Sequence, residues 1–366
     1  MMVRQTLWRA VSVVALAVVF SLPLSAATDS FDFVAPAAAQ SDGAVPGEWS
    51  GSLSDAEVWR SVRKGITGTI NIPDKKAAVL VQSGGESLRA IRNGPVSVIG
   101  GWTMLALVVL LALYHALHGP IRIDAGESGR MVERFNFLER FAHWLTASSF
   151  VVLALTGLNL LYGRYIVKPL VGPEAFSTLT SLGKYAHNYI GFAFIVGLVL
   201  LLVLWVKDNL PEKTDLNWLL VGGGMLTKGV HPPVGRFNVG QKVVFWAVVL
   251  LGGSLAATGV CLLFPFEFRP FSAIFAAINV FGAGLPADLS LLQEMQLTLL
   301  WHGIAGLILI VVIIGHIYIA ALGMEGALGA VGEGKVDENW LHQHHSVYFE
   351  KMMRKRVVKN APPPAE

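Results

Sequence analysis

The run LTLLWHGIAGLILIVVIIGHIYIAAL at 297–322 confines this chain more than any other part of it. It carries no charged residue over a length that crosses a bilayer as a helix. In hydrocarbon an open chain satisfies its backbone only by coiling into a helix or closing into a barrel. Two imidazoles interrupt the run, His302 and His316, fourteen residues apart. At about 100° and 1.5 Å per residue, that spacing brings the second ring to within roughly 40° of the first and about 21 Å further along the axis. One face of one membrane helix therefore carries a nitrogen ligand near each side of the bilayer. Intramembrane imidazoles are rare and have partners, and an axial iron site supplies one.

Four further apolar runs match it, at 98–118, 142–162, 186–206 and 243–264, with the fifth counted as 298–322. With 54% hydrophobic and only 14% charged residues, the chain reads as an all-α polytopic membrane protein. A shorter run at 10–24 follows Arg4 and Arg9 and ends in small residues, which predicts a signal peptide over 1–27 with cleavage after Ala27, or as late as Ala39. The expected organisation is that signal, an exported region at 40–95, an additional membrane helix at 98–118, a four-helix core at 130–325 and a tail at 326–366. If the mature N-terminus lies outside, the inner segments hold 15 Lys and Arg and the outer loops hold 4. The positive-inside rule favours that arrangement, with the N-terminal region periplasmic and the C-terminal tail cytoplasmic. The net charge of +3 then follows from topology, and nucleic-acid binding has little support.

The other histidines take depths from this frame. His143, in FLERFAHWLTASSFVVLALTGL, starts the second span on the inner side, level with His316. His187, in LGKYAHNYIGFAFIVG, starts the third on the outer side, level with His302. Four histidines on three helices make two pairs, which is the arrangement two bis-histidine b-type haems require. A single intramembrane histidine is more often a structural or proton-relay residue; four at paired depths favour haem. Gly191 and Gly306 each follow a histidine by one helical turn, and Gly157 lies fourteen residues after His143, where missing side chains leave room for a flat macrocycle. Small-residue helix contacts would use the same glycines.

The single Cys261 excludes an internal disulfide, a Cys₄ iron-sulfur site and CxxCH haem attachment, so any iron-sulfur relay belongs to another polypeptide. His115 and His118 read as interfacial residues rather than a metal site. His231, His342, His344 and His345, in a loop and a basic tail, read as partner-docking residues. Phe271, Ile274, Phe275 and Ile278 share one face of RPFSAIFAAINVFG, which predicts an interfacial or docking helix.

The segments VERFNFLERFAHW, LGKYAHNYIGFAFI, RFNVGQKVVFW and LLWHGIAGLILIVVIIGHIYIA, with the tail HQHHSVYFE, resemble the gamma subunit of respiratory formate dehydrogenase, the di-haem cytochrome b membrane subunit. The resemblance runs from about residue 130 to 350. It implies two haem b, the outer one ligated by His187 and His302 and the inner one by His143 and His316. It also implies a quinone site near the inner haem at Asn238, Gly240, Gln241 and His316, filled by menaquinone or ubiquinone. The implied complex adds an iron-sulfur beta subunit and a catalytic alpha subunit with a molybdenum or tungsten cofactor. It sits in the bacterial inner membrane as part of a respiratory chain, and this chain would pass electrons to quinone without itself oxidising formate. Reducing a quinone takes two electrons and two protons, so polar groups beside the last donor suit the chemistry. The plainer reading of NVGQK is a helix cap with Gly240 in the turn. A cytochrome b of a membrane-bound nickel-iron hydrogenase would use the same histidines, and a transporter or assembly protein with a histidine proton relay is the reading from another class.

The charge bias is open to direct measurement. A reporter active only outside the cytoplasm should be active when fused after Asn93 and silent when fused after Lys359, and the reverse pattern would overturn the orientation.

Overall fold

The computed structural model describes residues 83–224 and 229–360. The expected signal peptide and nearly all of the expected exported region lie outside those residues. A short helix α1 (Ser83–Ile91) passes through a turn of π-helix into α2 (Ser97–His118). The long helices α3 (Phe137–Val171) and α4 (Pro173–Trp205) form a hairpin, followed by the short α5 (Lys213–Leu220). A second hairpin joins α6 (Val239–Leu263) to α8 (Leu291–Tyr318), with α7 (Pro270–Asn279) lying in the connection. The chain ends in a one-turn α9 (Gly329–Gly332), then α10 (Glu338–His344) and α11 (Ser346–Asn360). Among the described residues five helices are long and apolar enough to cross a membrane, and the chain is a multi-pass, all-α membrane protein.

The five expected spans are all present, but most run further than hydropathy suggests. Helix α3 starts at Phe137 because Asn136 caps it: its side chain accepts from the Glu139 amide at 3.0 Å, and Glu139 returns the bond to the Asn136 amide at 3.0 Å. At its other end Gly172, with φ of +82°, turns the chain directly into Pro173 at the start of α4. Thirty-five helical residues extend about 52 Å, well beyond a hydrocarbon core of about 30 Å. Charged ends carry these helices past the apolar layer, and a hydropathy window sees only their middles.

Within the bundle α3 packs along α4 and α6 along α8; α4 against α6 joins the hairpins, and α2 leans on α8. The α3 and α4 backbones come close at Gly197, where a Cβ would come within 2.5 Å of the Thr146 hydroxyl and 3.0 Å of the Thr146 amide nitrogen. A side chain there would force the α3–α4 hairpin apart. The outward faces stay apolar and exposed, as at Leu155, Val203 and Leu250, which suits contact with lipid.

The buried core lies at one end of the bundle, where the C-terminal segment folds back. Strand β1 (Met131–Glu133) pairs antiparallel with β2 (Lys335–Asp337), Val132 opposite Val336. Val132, Val336, Trp340 and Leu341 are all buried. At this capped end the sequence also repeats itself. Arg134-Phe135-Asn136 precedes α3 and Arg236-Phe237-Asn238 precedes α6, 102 residues later. The two copies interlock: Phe135 stacks on Phe237 with ring centres 5.9 Å apart, and Arg134 donates to the Arg236 carbonyl. Arg236 in turn pairs with Glu139 at 2.6 Å and Asp208 at 2.7 Å. Burial lowers the Arg134 guanidinium to about 10, still far enough above neutrality to keep it charged.

The tail histidines depart from the docking role expected of them. His345 is 1% exposed and donates Nδ1–H to the Gly235 carbonyl at 2.9 Å, fastening the tail to the segment before α6. His344 packs on Trp340, and its ring lies 5.9 Å from that of His231, which pairs with Asp124 at 2.8 Å. Apart from the Trp340 contact, these join residues more than 100 positions apart, so local pattern does not show them.

Burial holds His344 down to about 4 and His345 well below the usual imidazole range. Both stay neutral when the tail is docked and take up a proton near 6.5 when it is free. Docking is therefore at full strength above pH 6.5 and weakens as pH falls towards the folded values. At pH 5.5 each histidine should cost about 1.4 kcal/mol, roughly tenfold in the undocked population. Hydrogen exchange across 335–354 should accelerate between pH 7.5 and 5.5 after correction for intrinsic rates, and His345→Gln should flatten part of that rise. Equal corrected rates at the two pH values would show that the tail is not held by neutral imidazoles.

Candidate functional site: two imidazole pairs

The bundle brings the four histidines together two by two. His143 of α3 faces His316 of α8 near the capped end, with ring centres 6.3 Å apart. His187 of α4 faces His302 of α8 towards the opposite, loop end, with ring centres 6.2 Å apart. Two imidazoles bound to one metal from opposite sides, with metal–nitrogen bonds of about 2 Å and ring centres roughly 1.1 Å behind the nitrogens, stand about 6.3 Å apart. Both separations would fit two imidazoles that share one metal ion between them, and no hydrogen bond joins the rings of either pair.

Glycines line the same region. A Cβ on Gly191 would meet nothing within 4 Å, and one on Gly306 only Leu255 at 3.9 Å, so α4 and α8 have open space at these positions. Gly157 sits at the loop-end pair, where a Cβ would touch His187 Cε1 at 3.7 Å. Gly259, which no spacing from a histidine singles out, stands in the same relation to His302 Cε1 at 3.5 Å. The residues before these glycines are equally inconspicuous in the sequence: Thr156 and Thr258 lie 2.8 and 2.9 Å from the Nδ1 atoms of His187 and His302. The signal that finds them is the repeat. Thr-Gly recurs at 156 and 258, at the same 102-residue offset as the Arg-Phe-Asn motif.

The residues expected around quinone occupy the start of α6. Asn238 is the helix cap: its side-chain oxygen accepts from the Gln241 amide at 2.9 Å, and the Gln241 side-chain oxygen accepts from the Asn238 amide at 2.9 Å. Gly240 packs beside them, a Cβ there falling 3.3 Å from Asn238 Oδ1 and 3.5 Å from Trp218. This is the capping arrangement that the plainer reading gives. It engages the two carboxamide oxygens and leaves the NH₂ groups as donors.

Other histidines form no further centre. His118 stacks on Tyr114, and His115 Nδ1 lies 3.4 Å from the Tyr318 hydroxyl. Among the described residues no group of three or more His, Cys, Asp or Glu could hold a metal ion. The apolar segment expected to be helical is α7, whose N-terminus is capped by buried Glu294 of α8: one carboxylate accepts from the amides of Phe271 and Ser272 and from the Ser272 hydroxyl.

Known proteins resemble this chain over its bundle. The chain is 28% identical over 236 residues to the nitrate-inducible formate dehydrogenase cytochrome b556(Fdn) subunit of Escherichia coli, a match spanning 63% of this chain and 96% of that one. It is 28% identical over 232 residues to the E. coli formate dehydrogenase cytochrome b556(fdo) subunit, over 63% and 97% of the two chains. The formate dehydrogenase cytochrome b556 subunit of Haemophilus influenzae is 23% identical over 243 residues, 65% of this chain and 90% of that one. The family model for prokaryotic cytochrome b561 matches residues 134–330, which hold α3, α4, α6 and α8 with all four paired histidines. A helical membrane bundle built around facing imidazoles, and this match over more than half its length, make the chain a member of the prokaryotic cytochrome b561 family.

Proposed function

We propose that this chain is the di-haem b-type membrane subunit of a formate dehydrogenase, carrying electrons from a periplasmic iron-sulfur subunit across the inner membrane to quinone. The observation that supports it most is the pair of facing imidazoles near each end of the bundle, 6.2 and 6.3 Å between ring centres. His187 and His302 hold the outer haem, His143 and His316 the inner one. Haem b bound at these sites supplies one-electron exchange between ferric and ferrous iron at each depth. The names of the relatives favour formate over hydrogen as the electron source. This chain does not oxidise formate. That step belongs to a catalytic subunit with a molybdenum or tungsten cofactor, reached through an iron-sulfur subunit, since the single buried Cys261 builds no cluster here.

At the capped, cytoplasmic end, the NH₂ groups of Asn238 and Gln241 are the donors offered to a quinone carbonyl, menaquinone or ubiquinone. Their oxygens stay in the helix cap, so the two functions of each side chain separate cleanly. Proton uptake from the cytoplasm for electrons that arrive from outside makes the overall step electrogenic.

Two experiments test this reading. Replacing His187 or His302 by Ala should leave one haem per chain, the inner one, and replacing His143 or His316 should leave the outer one. Two haems in any purified variant would remove that ligand from the assignment. For quinone, Asn238→Asp and Gln241→Glu keep the cap oxygens and delete the NH₂ donors. A lost hydrogen bond of about 0.5–1.5 kcal/mol corresponds to roughly two- to tenfold slower reoxidation of the haems by quinone. Haem content and donor-driven haem reduction should stay as they were. Unchanged reoxidation in both variants would reduce Asn238 and Gln241 to a helix cap.

A further inference from the structure

The two outer-haem ligands are held alike, and differently from His143. Thr156 Oγ1 lies 2.8 Å from His187 Nδ1, and Thr258 Oγ1 lies 2.9 Å from His302 Nδ1. Each hydroxyl also contacts its own helix one turn back, Thr156 at the Val152 carbonyl and Thr258 at the Ser254 carbonyl, both at 2.7 Å. A hydroxyl has one proton, and a carbonyl oxygen can only accept. Two oxygens 2.7 Å apart with no hydrogen between them repel, so the proton lies on the carbonyl side. The threonine oxygen then accepts from Nδ1–H of the histidine. That fixes the imidazole as the Nδ1–H tautomer and leaves the Nε2 lone pair free for iron. The glycine after each threonine lets the ring edge approach, with a Cβ position 3.7 Å from His187 Cε1 and 3.5 Å from His302 Cε1. At the inner pair, His143 Nδ1 is buried with no hydrogen-bond partner among the described residues.

We infer that Thr156 and Thr258 are a matched pair of positioning residues that set the tautomer, orientation and electron-donating strength of the two outer-haem ligands, holding the outer haem at a lower potential than the inner one. This rests on the di-haem reading above. An imidazole whose Nδ1–H is engaged by an acceptor is the more basic ligand and favours ferric iron. With both outer ligands so engaged and one of the two inner ligands, His143, not, the inner haem is the better electron acceptor, and transfer from the outer to the inner side of the membrane runs downhill. The duplicated placement, at 156–157 and 258–259, gives the outer site an approximate two-fold symmetry that the inner site lacks: 102 residues after His143 the chain has Phe245.

The test is a potentiometric titration of the purified complex, followed in the visible spectrum and by the low-spin ferric signals. The unsubstituted protein should titrate as two components, the lower-potential one being the component that His302→Ala abolishes. Thr156→Val and Thr258→Val, which keep the shape and delete the hydroxyl, should each shift that component upward, leave the other in place and alter its ferric signal. Thr156→Ser and Thr258→Ser should restore both. Valine variants that bind two haems with unchanged potentials would overturn the role of the threonines, as would an equal shift in both components. If valine costs the outer haem outright, serine decides: native potentials uphold the inference, and a lost or shifted outer haem overturns it. An unsubstituted protein with fewer than two low-spin haems would overturn the di-haem reading itself, and this inference with it.

Discussion

An imidazole in hydrocarbon has two ring nitrogens to satisfy, and the rest of the core is arranged around that demand. Water is not there to help, and an unmatched polar group at that depth costs several kcal/mol. At the loop end the threonines of α3 and α6 take up Nδ1 of His187 and His302, whose ring centres stand 6.2 Å apart. The helices must therefore sit at one axial position. A shift of a single residue, about 1.5 Å along the axis and 100° around it, would break the threonine contact and turn the ring away from its partner together.

The capped end sets that position. The interlocked Arg-Phe-Asn motifs start α3 and α6 from the same point, and twenty residues further on each helix presents its Thr-Gly pair. Register established in this buried cluster is thus carried by two helices to the far end of the bundle. The C-terminal segment covers the cluster through β2, Trp340 and His345, so the folded tail belongs to the scaffold of the four-helix bundle rather than to a docking extension. Glu139 joins three parts of this end, closing the α3 cap while accepting from Arg236 and Trp205.

Much of this is legible in the sequence, and the reasons are local. A fourteen-residue spacing repeats a helix face, so His302 and His316 take their places from helical geometry alone. His143 and His187 can be matched to them because each lies near a span terminus. Helix ends are less legible, because capping residues such as Asn136 and Ser290 extend the helices beyond the apolar windows that reveal them. The docked tail is illegible, because the His345–Gly235 bond closes a loop of more than 100 residues. The threonines are hidden for a third reason: Thr in a membrane helix is ordinary, and only its recurrence with Gly at a fixed offset from a repeated motif sets it apart. NVGQK forms the capping box with its amide oxygens, and its side-chain nitrogens are left for the quinone role proposed above.

Everything proposed for this chain depends on each imidazole pair binding one haem. The most direct measurement is the haem content of the purified chain, by haemochrome assay against protein, together with the ferric signals at low temperature. Two b-type haems per chain are expected, both low-spin with two nitrogen axial ligands. One haem per chain, a high-spin centre, or none at all would contradict it.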